Sequence, residues 1–569
     1  MSNTPIISFR DFSFQYHSQA EPTLNNINLD VRAGEKILIL GPSGSGKSTL
    51  GHCVNGLIPF SYKGKLTGSL TIAGLDVDSR SIFDLSKIVG TVLQDSDGQF
   101  VGLTVGEDIA FALENDATPV AVMRELVEKT ARMVDMDLHL TSSPFELSGG
   151  QKQRTALAGV MIDDVDILLF DEPLANLDPA TGKTAIGIID DIHKNTGKTI
   201  IIIEHRLEDA LYRSMDRVII INDGRIAADV SPDELLCSAL LADNGIREPL
   251  YITALKYAGV ELKPAMKPGY IDTVDLSGCR DKLLAWQRSV PVERPADRRS
   301  SVLRMEHVSY SYTGAKQTLC NISFDICAGE MVSLIGRNGA GKSTLAKLIC
   351  GFVKPDSGLI YLSDSDISDK TIKERADHIG YVMQNPNQMI SQTMIADEVG
   401  LGLKLRGFSK SEIQERVESV LEICGLAPFR NWPISALSYG QKKRVTIASM
   451  LVLEPSVLIL DEPTAGQDFR HYSEIMRFIC DLNRRGITII LITHDMHLMQ
   501  EYTPRAIVLS DGGLVADCPA YEALTNRGVI ERANLKETSL YTLAELAGLG
   551  DGTSFVRSFI EYEKRVNDR

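Results

Sequence analysis

An α/β fold laid down twice in tandem is expected from three features of the 569-residue chain. Short apolar runs rich in branched residues, such as 199–203 and 457–460, have the length and composition of buried parallel strands. Several motif strings occur once in each half, in the same order. Their spacing is kept: Gln94 to Ser148 and Gln384 to Ser438 are both 54 residues, and Ser148 to Glu172 and Ser438 to Glu462 are both 24. A repeat of that length is a duplicated domain, far too long for a solenoid unit.

The first landmark in each half is a phosphate loop. KILILGPSGSGKSTL at 36–50 answers MVSLIGRNGAGKSTL at 331–345, and both fit G-x-x-x-x-G-K-S between an apolar strand and a helical pattern. The residues are Gly41, Pro42, Ser43, Gly44, Ser45, Gly46, Lys47, Ser48 and Thr49, then Gly336, Arg337, Asn338, Gly339, Ala340, Gly341, Lys342, Ser343 and Thr344. Glycines let the backbone amides and the helix N-terminus face phosphates; Lys47 and Lys342 reach the β- and γ-phosphates, and Ser48 and Ser343 can ligate Mg²⁺.

Gln94 and Gln384 come next, after the strands IVGTVL and IGYVM, where a neutral amide can touch Mg²⁺ and water. LSGGQKQR at 147–154 answers LSYGQKKR at 437–444, placing Ser148, Gly149, Gly150 and Gln151 opposite Ser438, Tyr439, Gly440 and Gln441. DILLFDEP and SVLILDEP end strands on Asp171 and Asp461, carboxylates suited to Mg²⁺, and the following Glu172 and Glu462 are candidate general bases. His205 and His494 lie 33 and 32 residues beyond those glutamates, each after a strand, poised to hydrogen-bond a γ-phosphate.

Composition narrows the function. The net charge of -16 opposes the basic footprint of a protein that binds along nucleic acid. Nine cysteines without a C-x-x-C pair read as free thiols in a reducing compartment. The N-terminal stretch lacks the pattern of a secretory signal, and no run approaches the ~20 apolar residues of a membrane span.

Phosphate loop, LSGGQ, DEP and downstream histidine in this order resemble the nucleotide-binding domains of the ABC superfamily, over nearly the whole chain. The resemblance implies P-loop NTPase cassettes, each with a mixed β-sheet core and a helical subdomain. It implies two bound ATP with Mg²⁺, adenine stacked on Tyr16 and Tyr312, and signatures acting in trans: residues 148–151 on the ATP held by Lys342, residues 438–441 on that held by Lys47. Asp178 and Asp468 become loop residues that couple the sites. Tyr439 departs from the family's glycine; with both lysines, glutamates and histidines present, two competent sites are expected.

Within the superfamily, CVNGLIP at 53–59, QDSDGQFVGLTVGEDIAFALEN at 94–115 and QNPNQMISQTMIADEVGLGL at 384–403 are most similar to the ATPases of energy-coupling-factor importers. That likeness implies an ATP-hydrolysing subunit on the cytoplasmic face of the cell membrane, partnered by a transmembrane coupling protein and a small substrate-capture membrane protein. It also implies a groove for the coupling protein near Gln99, Phe100, Glu107 and Asp108, and near Gln388, Met389, Asp397 and Glu398. The rival, a soluble tandem ABC ATPase acting on ribosomes, is opposed by the acidic balance and by an inter-cassette segment without a long charged helix. The expected domains are a first cassette at 1–230, a helical tail at 231–275, a linker at 276–301, a second cassette at 302–515 and a helical tail at 516–569. Proline and charge across 263–301 suggest an exposed connection.

Overall fold

The computed structural model describes residues 4–94, 96–175, 177–291, 300–312 and 317–567. The chain divides into two compact units, one on each half.

In the first unit a six-stranded sheet runs in the order Arg225–Val230, Arg217–Asn222, Lys36–Leu40, Thr199–Ile203, Ile167–Asp171, Val89–Val92. All neighbours are parallel except the first pair, which is an antiparallel edge hairpin, so the sheet is mixed. KILIL and TIIII are buried at every position, because strands covered on both faces have no polar side to alternate with. A second, antiparallel sheet in the order Leu24–Val31, Ile7–Tyr16, Gly64–Ile72, Leu75–Asp76 contributes Phe9, Phe12 and Phe14 to a core shared with Ile37, Ile39, Leu169 and Ile201 of the large sheet.

The second unit repeats the plan. Its large sheet runs Ile379–Val382, Val457–Asp461, Thr488–Ile492, Met331–Ile335, Arg505–Ser510, Gly513–Pro519, again parallel but for the last hairpin. Each unit also carries three helices between sequence-adjacent strands of its sheet: Val105–Asn115, Val120–Met133 and Gly149–Met161 in one, Ile395–Leu405, Lys410–Ile423 and Tyr439–Leu451 in the other. Parallel strands all finish at one edge, where backbone groups leave the ladder and ligands of α/β folds gather. The phosphate loops, Gln94 and Gln384, the acidic pairs and both histidines follow strands that end there.

Helical tails follow both sheets, including Leu250–Tyr257 in the first and Gly552–Asn567 in the second. The expected exposed connection is corrected in part. Residues 280–289 form the helix Arg280–Ser289, which buries Leu283 and Trp286, and Trp286 stacks near Tyr257 at 6.4 Å. Leu283 and Trp286 lie three apart on one helical face, and apolar area at that spacing outweighs the polar composition around it. The proline- and arginine-rich part of the linker, 292–299, lies outside the described residues.

Candidate functional site

Each phosphate loop is shaped by glycine where nothing else fits. A Cβ at Gly41 would sit 2.0 Å from the Ile221 carbonyl oxygen, and one at Gly336 would sit 2.1 Å from that of Leu509. The loops close over their own lysines. Lys47 Nζ donates to the carbonyls of Gly41 and Pro42, both at 2.9 Å, and Lys342 Nζ to those of Gly336 at 2.7 Å and Arg337 at 3.0 Å. Burial pushes Lys47 down to about 8 against the upward pull of Glu172. A buried ammonium held by neutral carbonyls is suited to an arriving anion. Ser45 Oγ, buried in the same loop and without a hydrogen-bond partner among the described residues, fits a phosphate acceptor.

Ser48 Oγ lies 3.5 Å from Asp171 Oδ1, so a hydroxyl and a carboxylate converge as oxygen ligands for Mg²⁺ would. Burial, reinforced by the neighbouring Glu172, pushes Asp171 up to about 6. Removing a charge from water without a full partner has that effect, and a divalent cation would reverse it.

The glutamates after these aspartates sit in the left-handed region, at φ 49 for Glu172 and φ 46 for Glu462. Their amides close the sheet edge on Ile203 and Ile492 carbonyls, both at 2.9 Å. Non-glycine residues adopt this conformation at a cost and cluster at functional sites. The histidines follow: His205 Nε2 is 2.9 Å from Glu172 Oε1 and His494 Nδ1 is 2.6 Å from Glu462 Oε1. An ionised carboxylate only accepts, so those ring nitrogens carry the proton. Gln94 Nε2 donates to Glu172 Oε2 at 2.7 Å. Burial works to raise Glu172, but the His205 bond and charge and the Lys47 charge outweigh it and hold the carboxyl below its usual range.

The centres differ where the motifs are silent. Beside Glu172 stands Glu204, fully buried, accepting from the amides of Leu174 at 2.8 Å, His205 at 2.9 Å and Arg206 at 3.2 Å. Burial raises its pKa. The corresponding residue of the second unit is Thr493, whose hydroxyl donates to Glu462 Oε2 at 3.3 Å. Tyr381, which corresponds to Thr91, donates its hydroxyl to Asp461 Oδ2 at 2.9 Å. Lys443, which corresponds to Gln153, is 1% exposed and donates to the Glu462 carbonyl at 3.0 Å. The bond from Gln94 to Glu172 has no counterpart among the described residues; the Gln384 carbonyl instead accepts from the Tyr439 hydroxyl at 3.3 Å. Sequence reasoning missed Glu204, Tyr381 and Lys443. Only position-by-position alignment of the two halves singles them out.

The expected adenine platforms lie against their loops. The hydroxyl of Tyr16 is 3.2 Å from Thr49 Oγ1, and that of Tyr312 is 3.4 Å from Thr344 Oγ1. Tyr16 is met edge-on by Tyr62 at 6.3 Å, and Tyr62 stacks on His52 at 4.8 Å. The place of His52 is taken in the second unit by Lys347, whose ammonium lies 5.9 Å from the Tyr312 ring.

The signature serines act first as helix caps. Ser148 Oγ accepts from Gln151 N at 3.4 Å while Gln151 Oε1 accepts from Ser148 N at 3.0 Å, and Ser438 and Gln441 close the same ring at 3.3 and 2.9 Å. Gly149 and Gly150, like Tyr439 and Gly440, open the helices that follow. Asp178 is buried and caps Pro179–Thr196 through Thr181 N at 3.0 Å; Asp468 is buried as well.

The groove acids require correction. Asp108 Oδ1 accepts from the amides of Val101 at 2.8 Å and Gly102 at 3.1 Å, Glu107 closes a capping box with Thr104, and buried Glu398 accepts from Ser391 N at 2.8 Å and Gln392 N at 2.7 Å. These carboxylates are spent on the loop's own amides, which a partner would have to break to use them. Gln99 and Met389 also turn inward, accepting from the amides of Leu93 at 3.2 Å and Met383 at 3.1 Å. Asp397 and Gln388 remain exposed, and Phe100 is half-buried.

Against known proteins, the ABC transporter family matches residues 24–175 and 319–465, and a family described as ATP-binding cassette cobalt transporter matches residues 238–310. A protein of Clostridium perfringens named as an ABC transporter ATP-binding protein is 55% identical over 99% of both chains. Relatives of the same description from Enterococcus faecalis and Vibrio vulnificus are 56% identical, over 99% of both chains, and 54% identical, over 98% of this chain and 97% of theirs. A solved cbiO1 structure from Clostridium perfringens, titled as part of the ABC transporter complex cbiONQ, is 34% identical over 44% of this chain and 98% of its own, with a TM-score of 0.39. With a phosphate loop, an acidic pair and a histidine in each unit, the chain belongs to the ABC transporter ATP-binding family and is an ATPase whose hydrolysis is coupled to transport.

Proposed function

We propose that this ATPase energises an importer of the energy-coupling-factor type, working at the cytoplasmic face of a membrane on a transmembrane coupling protein and a small substrate-capture protein. The observation that carries the catalytic part is the strained glutamate with a histidine N–H on its carboxylate, present in both units. Lys47 and Lys342 bind the β- and γ-phosphates among the loop amides. Glu172 and Glu462 take the proton of the attacking water as its oxygen bonds the γ-phosphorus and the bond to the β–γ bridging oxygen breaks. His205 and His494 hold the glutamates and then the γ-phosphate. Ser48, Gln94 and Asp171, with Ser343, Gln384 and Asp461, are the residues that would hold Mg²⁺, which supplies charge neutralisation across the phosphates. Each ATP takes its loop from one cassette and its signature from the other, so that ATP favours a closed pair and product release an open one.

The membrane partner is supported by the cobalt-transporter family match and by an apolar surface on the first unit. Leu93, Val101, Leu103 and Phe111 are exposed, Leu103 by 80%, along a segment that Gln99 and Asp108 hold together. Exposed apolar side chains this close in sequence suit a docking surface. Among the described residues no helix is long and apolar enough to cross a membrane.

The test is direct. Glu172→Gln with Glu462→Gln should abolish turnover while ATP still binds, and undiminished hydrolysis removes them as bases. On the Glu462→Gln background, Ser438→Arg should cost more turnover than Ser148→Arg, and the reverse order contradicts the exchange of signatures. Affinity capture from detergent-solubilised membranes should bring down two membrane proteins; recovery of ribosomes instead would contradict the importer reading.

A further inference from the structure

In the second unit a signature residue reaches across to the loop that carries Gln384. Tyr439 is the first residue of the helix Tyr439–Leu451, directly after its cap Ser438, and its hydroxyl donates to the Gln384 carbonyl at 3.3 Å. One turn along, Lys442 Nζ donates to Asn387 Oδ1 at 3.4 Å and adds a second tie to the same loop. The first unit cannot build the tyrosine bond, because the matching residue is Gly149, which opens the helix Gly149–Met161 and has no side chain to donate. There Gln94 leans instead on its own centre, its amide donating to Glu172 at 2.7 Å.

The two ends of that bond serve different nucleotides. On the exchange of signatures proposed above, Ser438 and the amides of the first helical turn belong to the ATP held by Lys47, whereas Gln384 belongs to the Mg²⁺ and water of the ATP held by Lys342. An anion bound at a helix N-terminus fixes the first turn. Fixing that turn fixes Tyr439, and its hydroxyl then holds the peptide from which the Gln384 side chain extends. One neutral hydrogen bond of this kind shifts an equilibrium by about twofold to tenfold. The Tyr439 ring is 42% exposed, so its hydroxyl can be removed without emptying a core.

We infer that Tyr439 is a positioning residue that carries the occupancy of one ATP site to the other: ATP seated between Lys47 and Ser438 steadies the Gln384 loop of the centre built on Lys342. The inference rests on the exchange of signatures. It gives the replacement of the family's glycine a task, since Gly149 sends no matching signal toward Gln94. For binding the coupling is reciprocal, as linkage requires, but the route through a side chain exists in the second unit alone of the two signature starts.

Hydrogen exchange in the full chain tests it. With Lys342→Ala to empty one site and Glu172→Gln to stop hydrolysis at the other, ATP should slow exchange across residues 384–389 about twofold to tenfold, the effect of one hydrogen bond held in place. Tyr439→Phe, which removes only the hydroxyl, and Tyr439→Gly should each lose most of that slowing. Turnover gives a second readout. Tyr439→Phe should cost about twofold to tenfold on the Glu172→Gln background, where the Lys342 centre does the hydrolysis, and less on the Glu462→Gln background, where a tyrosine serving its signature alone would be felt most. No slowing in the parent, equal slowing in Tyr439→Phe, or the reverse order of losses would overturn the inference. Should Tyr439→Gly fail to fold, Tyr439→Phe alone decides. Ser438→Arg costing no more than Ser148→Arg on the Glu462→Gln background would instead overturn the exchange of signatures, so the two failures are distinguishable.

Discussion

Glu172 and Glu462 hold a left-handed backbone conformation that costs a residue with a side chain, and the preceding strand, the histidine and the amide-to-carbonyl bond at the sheet edge hold it there. Gly41 is confined more severely. Gly41→Ala should cut ATP affinity more than about tenfold, because its Cβ would need to displace the Ile221 carbonyl; nucleotide titration by fluorescence measures it. Lys443 offers a pH test. Burial pushes it down to about 8, below the ~10.4 of a free lysine, so between those values the unfolded chain holds more protons and the residue's contribution to stability rises with pH. Relative to Lys443→Met, the wild type should gain up to roughly 3 kcal/mol between about pH 8 and about pH 10, read from denaturant midpoints. The lysines, glutamates and histidines of the centres were legible because each belongs to a string whose spacing is fixed by the loop or strand it sits on. Tyr381 and Lys443 were not, because each meets its partner through the packing of separate elements, and Glu204 was hidden at the end of an apolar strand, where it takes the amides of His205 and Arg206 beside it.

Among elements, the strands were the easiest to read, since burial on both faces leaves runs such as TIIII with no polar position. The loop after Gln94 and Gln384 was harder. Its acids look like a solvated helix start, yet Asp108 and Glu398 are staples whose carboxylates replace hydrogen bonds that the loop amides lack. Glu398→Ala should destabilise the second unit by about 1–3 kcal/mol, the cost of losing a charge-assisted pair of amide bonds. Hydrogen exchange at Ser391 and Gln392 should accelerate with it, and unchanged protection there would remove the staple role. The helix Arg280–Ser289 was hidden for a related reason: its apolar residues form one short run, LLAW, too brief to show a helical period in polar sequence, and the burial of Trp286 involves Tyr257 of the tail.

For the molecule as a whole, duplication was written plainly in the spacing, and the two sheets repeat strand for strand. The apolar segment of the first unit gives a prediction at this scale. Leu103→Asp with Phe111→Asp should abolish recovery of the membrane partners in affinity capture while the isolated chain still hydrolyses ATP, and full recovery would place docking elsewhere. The rings beside the phosphate loops show how far the copies have diverged. Tyr16 is backed by Tyr62 and His52, Tyr312 by the ammonium of Lys347. A homodimer assembled from either half would therefore carry two aromatic mouths or two cationic ones, and never the mixed pair. Fusion into one polypeptide guarantees that mixture in every molecule made, with no sorting of like from unlike halves left to chance encounter.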